Sequence, residues 1–369
     1  MSIYILLIIL NIFLLFIKKF FFKMKEYQIS TDNLSTIIMI VLLGILMGGR
    51  ASSVGIDTRL YERIYVKISQ SDSLIMAIKT SSFFGPGYVL FCWMLQYLSN
   101  NPRTYIVVSS IIMSVLLYKF AMRQENALLF LFYWQTSYLY AFSMNGNRQV
   151  FSTLLITEGI VRIDANRKDI VGIILVTSGL FIHPVSVCVL VLYFVAKTVL
   201  IKYKYIIILL IGLFSAILVN GGMTLLIKVI VKILPGYAKY VNGMNEQNFF
   251  NNSGGGRIVI FYIFVFTILI LFSICSDTYL VKNRLEKCFL FSTVFIIILG
   301  ITNFQNTSIT RLVMFILPQG FSIISRMKGR MSRKSGIVIQ TTICIVMFIY
   351  VVFNLLENKS GVVPYEMFI

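Results

Sequence analysis

The sequence predicts an all-α polytopic transmembrane helical bundle, and three observations carry that prediction. Of 369 residues, 58% are hydrophobic, and the mean hydropathy is +0.87. Uncharged runs such as Ile258–Ser276 and Asn126–Asn147 match the roughly 20 apolar residues that cross a bilayer. The formal net charge is nevertheless +19, with the basic residues gathered in short clusters between apolar runs. Backbone N–H and C=O groups in hydrocarbon must pair internally, so these runs are helices. Function has to be sought among the few charged groups that lipid would normally exclude.

Apolar segments fall at 2–22, 35–49, 86–99, 104–121, 126–143, 148–162, 169–182, 185–200, 204–220, 257–276, 286–302, 309–325 and 337–356. The first has no basic flank before it and no small-residue cleavage site after it, so it reads as a retained span. Lys and Arg are held on the cytoplasmic side of a membrane. Six clusters are read as cytoplasmic: 18–25, 119–123, 162–168, 197–204, 282–287 and 326–334. Together they hold 20 of the 33 basic residues, enough to fix the orientation. The first two clusters can share a side only if one of segments two to four does not cross. Segment 86–99, bounded by Gly85-Pro86-Gly87 and Asn100-Asn101-Pro102, is the shortest of these and is assigned as a re-entrant or interfacial outer helix. About twelve crossings remain, with both termini outside. Residues 170–196 have basic flanks at both ends and one ionisable group, His183. Two short helices turning at His183-Pro184 resolve this, with Pro184 opening the second helix where its missing N–H costs nothing. Residues 1–369 thus read as a single integral membrane domain with outer loops 50–85 and 221–256.

Arg148, Arg257 and Arg311 each stand at the start of a helix predicted to run from outside to inside. Helix N-termini present free N–H groups and about half a positive charge, and so favour anions. A forked guanidinium adds bidentate recognition of phosphate oxygens. Arg50, at the outer end of the second span, joins this set. Each arginine alone also reads as an interface anchor, but three helix starts together, against the charge bias, point to an anionic substrate at the outer face. Asp57 is one of few outer carboxylates; Asp57, Tyr61 and Tyr65 are spaced to share one helical face, and Asp57 also reads as a helix cap. His183 is either a hydrogen-bonded structural residue or the lining of a cavity. Tyr61, Tyr65 and Tyr88 suit sugar stacking, although tyrosine populates any interfacial belt. Glu158 is expected to pair with Arg162 one turn on. The 14 carboxylates, one histidine and five cysteines form no metal-ligand or CxxC spacing. No metal site or other cofactor is therefore expected, and the basic clusters are topology signals rather than nucleic-acid patches.

Six motifs occur in order: Val54-Gly55-Ile56-Asp57-Thr58 with Tyr61 and Tyr65; Gly85-Pro86-Gly87-Tyr88; Met144-Asn145-Gly146-Asn147-Arg148-Gln149; Phe181-Ile182-His183-Pro184-Val185-Ser186; Ser253-Gly254-Gly255-Gly256; and Arg311-Leu312-Val313-Met314-Phe315. In this order, over roughly residues 35–325, the chain resembles the EpsG family, the Wzy-like polymerases of bacterial exopolysaccharide and capsule synthesis. The family often carries an acidic residue before Pro-Gly-Tyr. Here that residue is Gly85, which makes Asp57 the nearest substitute. The resemblance implies a multi-pass bacterial plasma-membrane enzyme, a metal-independent glycosyltransferase-type polymerase. It would join oligosaccharide units carried on undecaprenyl pyrophosphate at the outer leaflet, alongside other polysaccharide-export proteins. On that reading Asp57, Arg148, His183 and Arg311 are catalytic, with Arg148 and Arg311 on the pyrophosphate and Asp57 or His183 taking the proton. Arg50, Tyr61, Tyr88, Gln149 and Arg257 bind substrate. A membrane O-acyltransferase and a lipid-linked oligosaccharide flippase stay open as alternatives.

Overall fold

The computed structural model describes residues 1–21, 28–137, 139–187, 190, 317–326, 333–358 and 360–368. Every extended element among them is helical: α1 Ser2–Phe21, α2 Gln28–Gly48, α3 Thr58–Ser69, α4 Leu74–Thr80, α5 Pro86–Leu95, α6 Arg103–Met122, α7 Ala127–Thr136, α8 Leu139–Asn145, α9 Asn147–Ala165, α10 Ile170–Ile182, a 3₁₀ turn Pro184–Ser186, α11 Leu317–Ser325 and α12 Arg333–Glu357. The chain divides into two compact units, Met1–Ser186 with Ile324–Ile369, and Val187–Ile323. Loop 221–256, Arg257 and Arg311 lie outside the described residues, as do most of the predicted segments between 185 and 316.

Within the first unit, α9 is buried from Asn147 to Ile160 apart from Arg148. Small residues let α10 lie directly on it, as membrane helix pairs do without a hydrophobic driving force. A Cβ at Gly159 would meet the Gly172 carbonyl oxygen at 2.7 Å, and one at Gly179 would meet the Ser152 carbonyl oxygen at 3.0 Å. Ser152 Oγ donates to the Gly179 carbonyl at 2.7 Å. Outward faces are apolar: Leu6, Phe13 and Phe16 of α1 and Val338, Phe353 and Leu356 of α12 are all exposed. Stripes of that kind suit hydrocarbon as solvent. Among the described residues, two helices are long and apolar enough to cross a membrane, Arg103–Met122 and the Gly336–Glu357 part of α12, with shorter apolar stretches in α1, α2, α5, α7 and α10. Helix α5 has 10 residues, about 15 Å of rise and half of what the hydrocarbon core needs.

Three local expectations change. Segment 126–143 is not one helix but α7 and α8. Thr136 Oγ1 donates to the Phe132 carbonyl, Ser137 Oγ donates to the Trp134 carbonyl, and Ser137 Oγ accepts from Leu139 N–H at 3.3 Å. Adjacent hydroxyls thus offer the backbone local partners in place of the helical ladder. Loop 50–85 contains, besides the helix expected around Tyr61 and Tyr65 (α3), a second short helix, α4. Glu158 pairs across helices with Arg123, whose Nη2 donates to Oε1 at 2.8 Å and whose Nη1 reaches Oε2. Arg162 instead binds Asp169 through Nε and Nη2 at 3.2 and 3.0 Å, and this pairing holds the Asp169 carboxyl below its ordinary range. A bidentate fork from the neighbouring helix outcompetes a looser pair one turn away. Arg123→Ala is expected to lower stability by about 1–3 kcal/mol, because it strands a buried carboxylate. The Arg123→Ala/Glu158→Gln double variant should recover part of that loss. Thermal unfolding in detergent reads both, and identical single and double variants would contradict the pairing.

These two ion pairs bring clusters 119–123 and 162–168 to one face. The opposite face, the Arg148 face, gathers residues 49–57, the start of α9 and the tail 360–368. The tail pairs antiparallel with the loop after α2: Ala51 N–H donates to the Glu366 carbonyl at 2.8 Å, Phe368 N–H to Gly49 at 2.7 Å, and Gly55 N–H to Gly361 at 2.7 Å. Tyr4 Oη donates to the Val362 carbonyl at 2.9 Å and Tyr365 Oη to the Leu46 carbonyl at 2.9 Å. The start of α1 and the tail therefore share this face.

Candidate active site

Arg50 follows α2 and is fully buried. Its Nη1 donates to the Met47 carbonyl, and its Nε lies 3.4 Å from Thr58 Oγ1. A cation folded onto the C-terminal carbonyls of a helix is favourably placed. Its Nη2 is buried with no hydrogen-bond partner. Burial pushes the guanidinium down to about 10, which still leaves it charged at neutral pH. Arg103, the first residue of α6, donates from Nη1 to the Arg50 carbonyl, holds Glu62 through Nε at 3.2 Å and lies under the Phe368 ring at 4.3 Å.

The loop from Arg50 to Thr58 is seated on the α8–α9 junction. Gly55 has φ +88°, and a Cβ there would meet the Met144 carbonyl oxygen at 2.5 Å; only glycine fits such a turn against another backbone. Thr58 Oγ1 donates to the Val54 carbonyl at 2.7 Å, and Asp57 N–H donates to Asn145 Oδ1 at 2.9 Å. Asp57 occupies the N-cap position of α3, but its carboxylate makes no capping bond. It is half-buried beside the segment that leads into Arg148. Of the predicted shared face, Tyr61 and Tyr65 lie with Thr58 and Ile68 on the buried side of α3, whereas Asp57 is the N-cap outside the helix.

Arg148, second residue of α9, lies over two rings. Its Cζ is 4.5 Å from the Phe84 centroid and 5.6 Å from that of Tyr88. Its Nη1 is buried without a hydrogen-bond partner. Beneath it, Tyr88 stacks on Phe84 at 5.1 Å and meets Tyr105 edge-on at 5.0 Å; Tyr61 lies 5.7 Å from Tyr105 and 6.2 Å from Tyr88. Tyr105 Oη donates to Asn147 Oδ1 at 2.7 Å, while Asn147 Nδ2 is buried without a partner. Tyr61 and Tyr88 are buried in this cluster and are not open rings: Tyr88, with Phe84, forms the platform for Arg148, and Tyr61 packs behind it. Gln149, also buried, follows on α9, and its carbonyl accepts from Thr153 Oγ1 at 2.9 Å.

The His183 turn is held against the start of α5. A Cβ on Gly85 would meet the carbonyl oxygens of Phe181 and Ile182 at 2.2 and 2.9 Å, and one on Gly87 would meet Phe181 Cβ at 2.6 Å. Gly85 and Gly87 thus let α5, which carries Tyr88, lie directly on the turn that carries His183. The His183 carbonyl accepts from Ser186 N–H at 2.9 Å and Ser186 Oγ at 2.6 Å. Pro184 opens a 3₁₀ turn, and His183 is half-buried.

Among the described residues, no carboxylate ion-pairs with Arg50 or Arg148. Two guanidiniums and one amide on this face each keep a buried N–H-bearing nitrogen without a partner. Such groups are costly when unsatisfied, and an anion with several oxygens would satisfy them. The structure places Arg50 against Thr58, Asp57 against Asn145, and Arg148 on Phe84 and Tyr88, with Tyr61 packed behind Tyr88, and joins the His183 turn to this cluster through α5. Arg257 and Arg311 lie outside the described residues. Arg103, Tyr105 and Asn147 are additional members of this cluster; an arginine at a helix start is the signal that picks out Arg103.

No curated protein and no solved structure matches the chain. A family model, the EpsG family, matches residues 33–367. That match runs from α2, through Arg50, Asp57, Arg148 and the His183 turn, to the tail paired with the Arg50 loop, and the chain belongs to the EpsG family of membrane proteins.

Proposed function

We propose that the protein polymerises undecaprenyl-pyrophosphate-linked oligosaccharide repeat units into exopolysaccharide or capsule at the outer face of the bacterial plasma membrane. The observation that carries this reading is the pair of unpaired buried guanidinium nitrogens, Arg50 Nη2 and Arg148 Nη1, on the face that also holds Asp57 and the His183 turn. A hydroxyl of one lipid-linked unit attacks the anomeric carbon of a growing chain. The new glycosidic C–O bond forms as the bond from that carbon to pyrophosphate breaks. The hydroxyl proton passes to Asp57 or His183, and the lipid pyrophosphate leaves as an anion. Charge developing on that leaving group is stabilised by preorganised donors: Arg148 with Arg311, assisted by Arg50 and Arg257. Gln149 supplies an amide to the saccharide, and Tyr88, backed by Tyr61, sets with Phe84 the plane on which Arg148 presents its fork. Metal is not required, so a chelator leaves the rate unchanged. The whole chain acts as one integral membrane domain with about twelve crossings, its Arg148 face outward.

The genetic test is deletion of the gene followed by analysis of the glycan. Accumulation of single lipid-linked repeat units at the outer leaflet is expected. Full-length polymer lacking acyl groups would point to an acyltransferase, and units trapped at the inner leaflet to a flippase; either result rejects the proposal. Reporter fusions at residues 80 and 165 test the orientation, and should report opposite sides with residue 80 outside. Both on one side would contradict it.

A further inference from the structure

The polymerase reading leaves the lipid tail of the substrate unplaced, and the surface of the first unit carries a groove that suits it. Helices α2 and α6 run antiparallel and enclose about 680 Å³ between them, lined by apolar side chains except for Ser114 and Tyr118. The walls are Val41 and Ile45 on α2 and Val107, Ile111 and Val115 on α6, all well exposed. The lining runs from Ile37 to Gly49, about 18 Å along the helix, over half of the hydrocarbon thickness. Its two glycines on α2 differ. A Cβ at Gly44 would meet Ser114 Oγ at 2.5 Å, so helix contact demands glycine there. A Cβ at Gly48 would meet Ser110 Cβ at 3.5 Å and Val107 Cα at 3.7 Å, which are ordinary contacts. Helix packing therefore leaves room for a side chain at position 48, and glycine there keeps the groove open.

The groove also lies, at one end, next to two arginines in the chain. It ends at Gly48 and Gly49, the residues directly before Arg50, and at Val107, one turn past Arg103. One wall thus leads to a buried guanidinium with an unpartnered Nη2, and the other to a guanidinium held by Glu62. An apolar trough whose end adjoins two buried arginines matches an amphiphile with a long hydrocarbon chain and an anionic head. From this juxtaposition we infer that the α2–α6 groove seats the isoprenoid chain of the polyprenyl phosphate carrier, with its phosphate toward Arg50. The inference rests on the polymerase reading and assigns it a tail site.

The test uses purified full-length protein in phospholipid nanodiscs and a polyprenyl monophosphate bearing a diazirine in its chain and no sugar. Photolysis should label peptides of α2 and α6, and undecaprenyl phosphate should compete while a similar excess of phosphatidylglycerol should not. Gly48→Leu, and from the other wall Val115→Trp, should each lower labelling and polymer yield at least ten-fold. Leu6→Trp, on the exposed face of α1, should change neither. Labelling confined to other helices, or undiminished in both groove variants, overturns the assignment, as does equal competition by phosphatidylglycerol. Groove variants that polymerise at the wild-type rate remove the tail site and leave the polymerase reading standing. Specific labelling of the groove in a wild-type protein that forms no glycosidic bond retains the lipid-phosphate site and removes the polymerase reading.

Discussion

Arg148→Ala is expected to reduce polymer formation by a factor of about 100 to 1,000, the usual effect of deleting one preorganised donor to a developing anion. The protein should still insert and accumulate. Arg148 is held by the rings of Phe84 and Tyr88, and a cation–π contact contributes only about 0.5–2 kcal/mol. Arg148→Lys should not restore activity. Lysine is a point charge on a flexible stem, whereas this site lays a planar fork across two rings and leaves Nη1 directed elsewhere. Glycan chain length in a deletion strain complemented with each variant, normalised to protein in the membrane, is the readout. Wild-type polymer from both variants would remove Arg148 from the site.

Gly85→Ala is expected to cost about 1–3 kcal/mol, since overpacking against a rigid neighbour forces the backbone to move. The added Cβ would stand 2.2 Å from the Phe181 carbonyl oxygen, and neither that carbonyl nor α5 can give way without displacing the His183 turn or Tyr88. Gly85→Glu should be worse, because its carboxylate would also face the carbonyls of Phe181 and Ile182. Placing an acid before Pro-Gly-Tyr, as relatives often have, therefore does not transplant into this chain. A fall in melting temperature of several degrees and loss of polymer from Gly85→Ala are the expected results. A variant with wild-type melting temperature and product would show that α5 and the His183 turn are not coupled.

Much of the bundle was legible because hydropathy reports helices directly. Segments 2–22 and 104–121 became α1 and α6 to within a few residues, and spacings of four correctly put Tyr61 and Tyr65 on one face of α3. The break between α7 and α8 was not legible. Gln135, Thr136 and Ser137 are compatible with a helix interior, and only tertiary packing decides whether their hydroxyls bond locally. The tail from Ser360 to Phe368 carries no periodic signal, so its pairing with Gly49–Ile56 has no sequence signature. Glu158 shows the limit of a one-helix rule: Arg162 lies one turn on, but Arg123 reaches it from α6 with both nitrogens. Arg103 opens α6 as Arg148 opens α9, and the same helix-start rule applies to both. Asp57 and Arg148 were each legible as candidates, while their linkage through Asn145 and Met144 emerges only in three dimensions.

The central claim is that this chain itself forms glycosidic bonds at the expense of lipid pyrophosphate. Purified full-length protein in liposomes, supplied with a defined undecaprenyl-pyrophosphate-linked repeat unit, tests it most directly by mass analysis of products. A ladder of glycans differing by one repeat is expected, with one lipid pyrophosphate released per bond and both reduced by a factor of about 100 or more in Arg148→Ala. A single unextended repeat unit, with folded wild-type protein in the liposomes and lipid pyrophosphate unreleased, would contradict it.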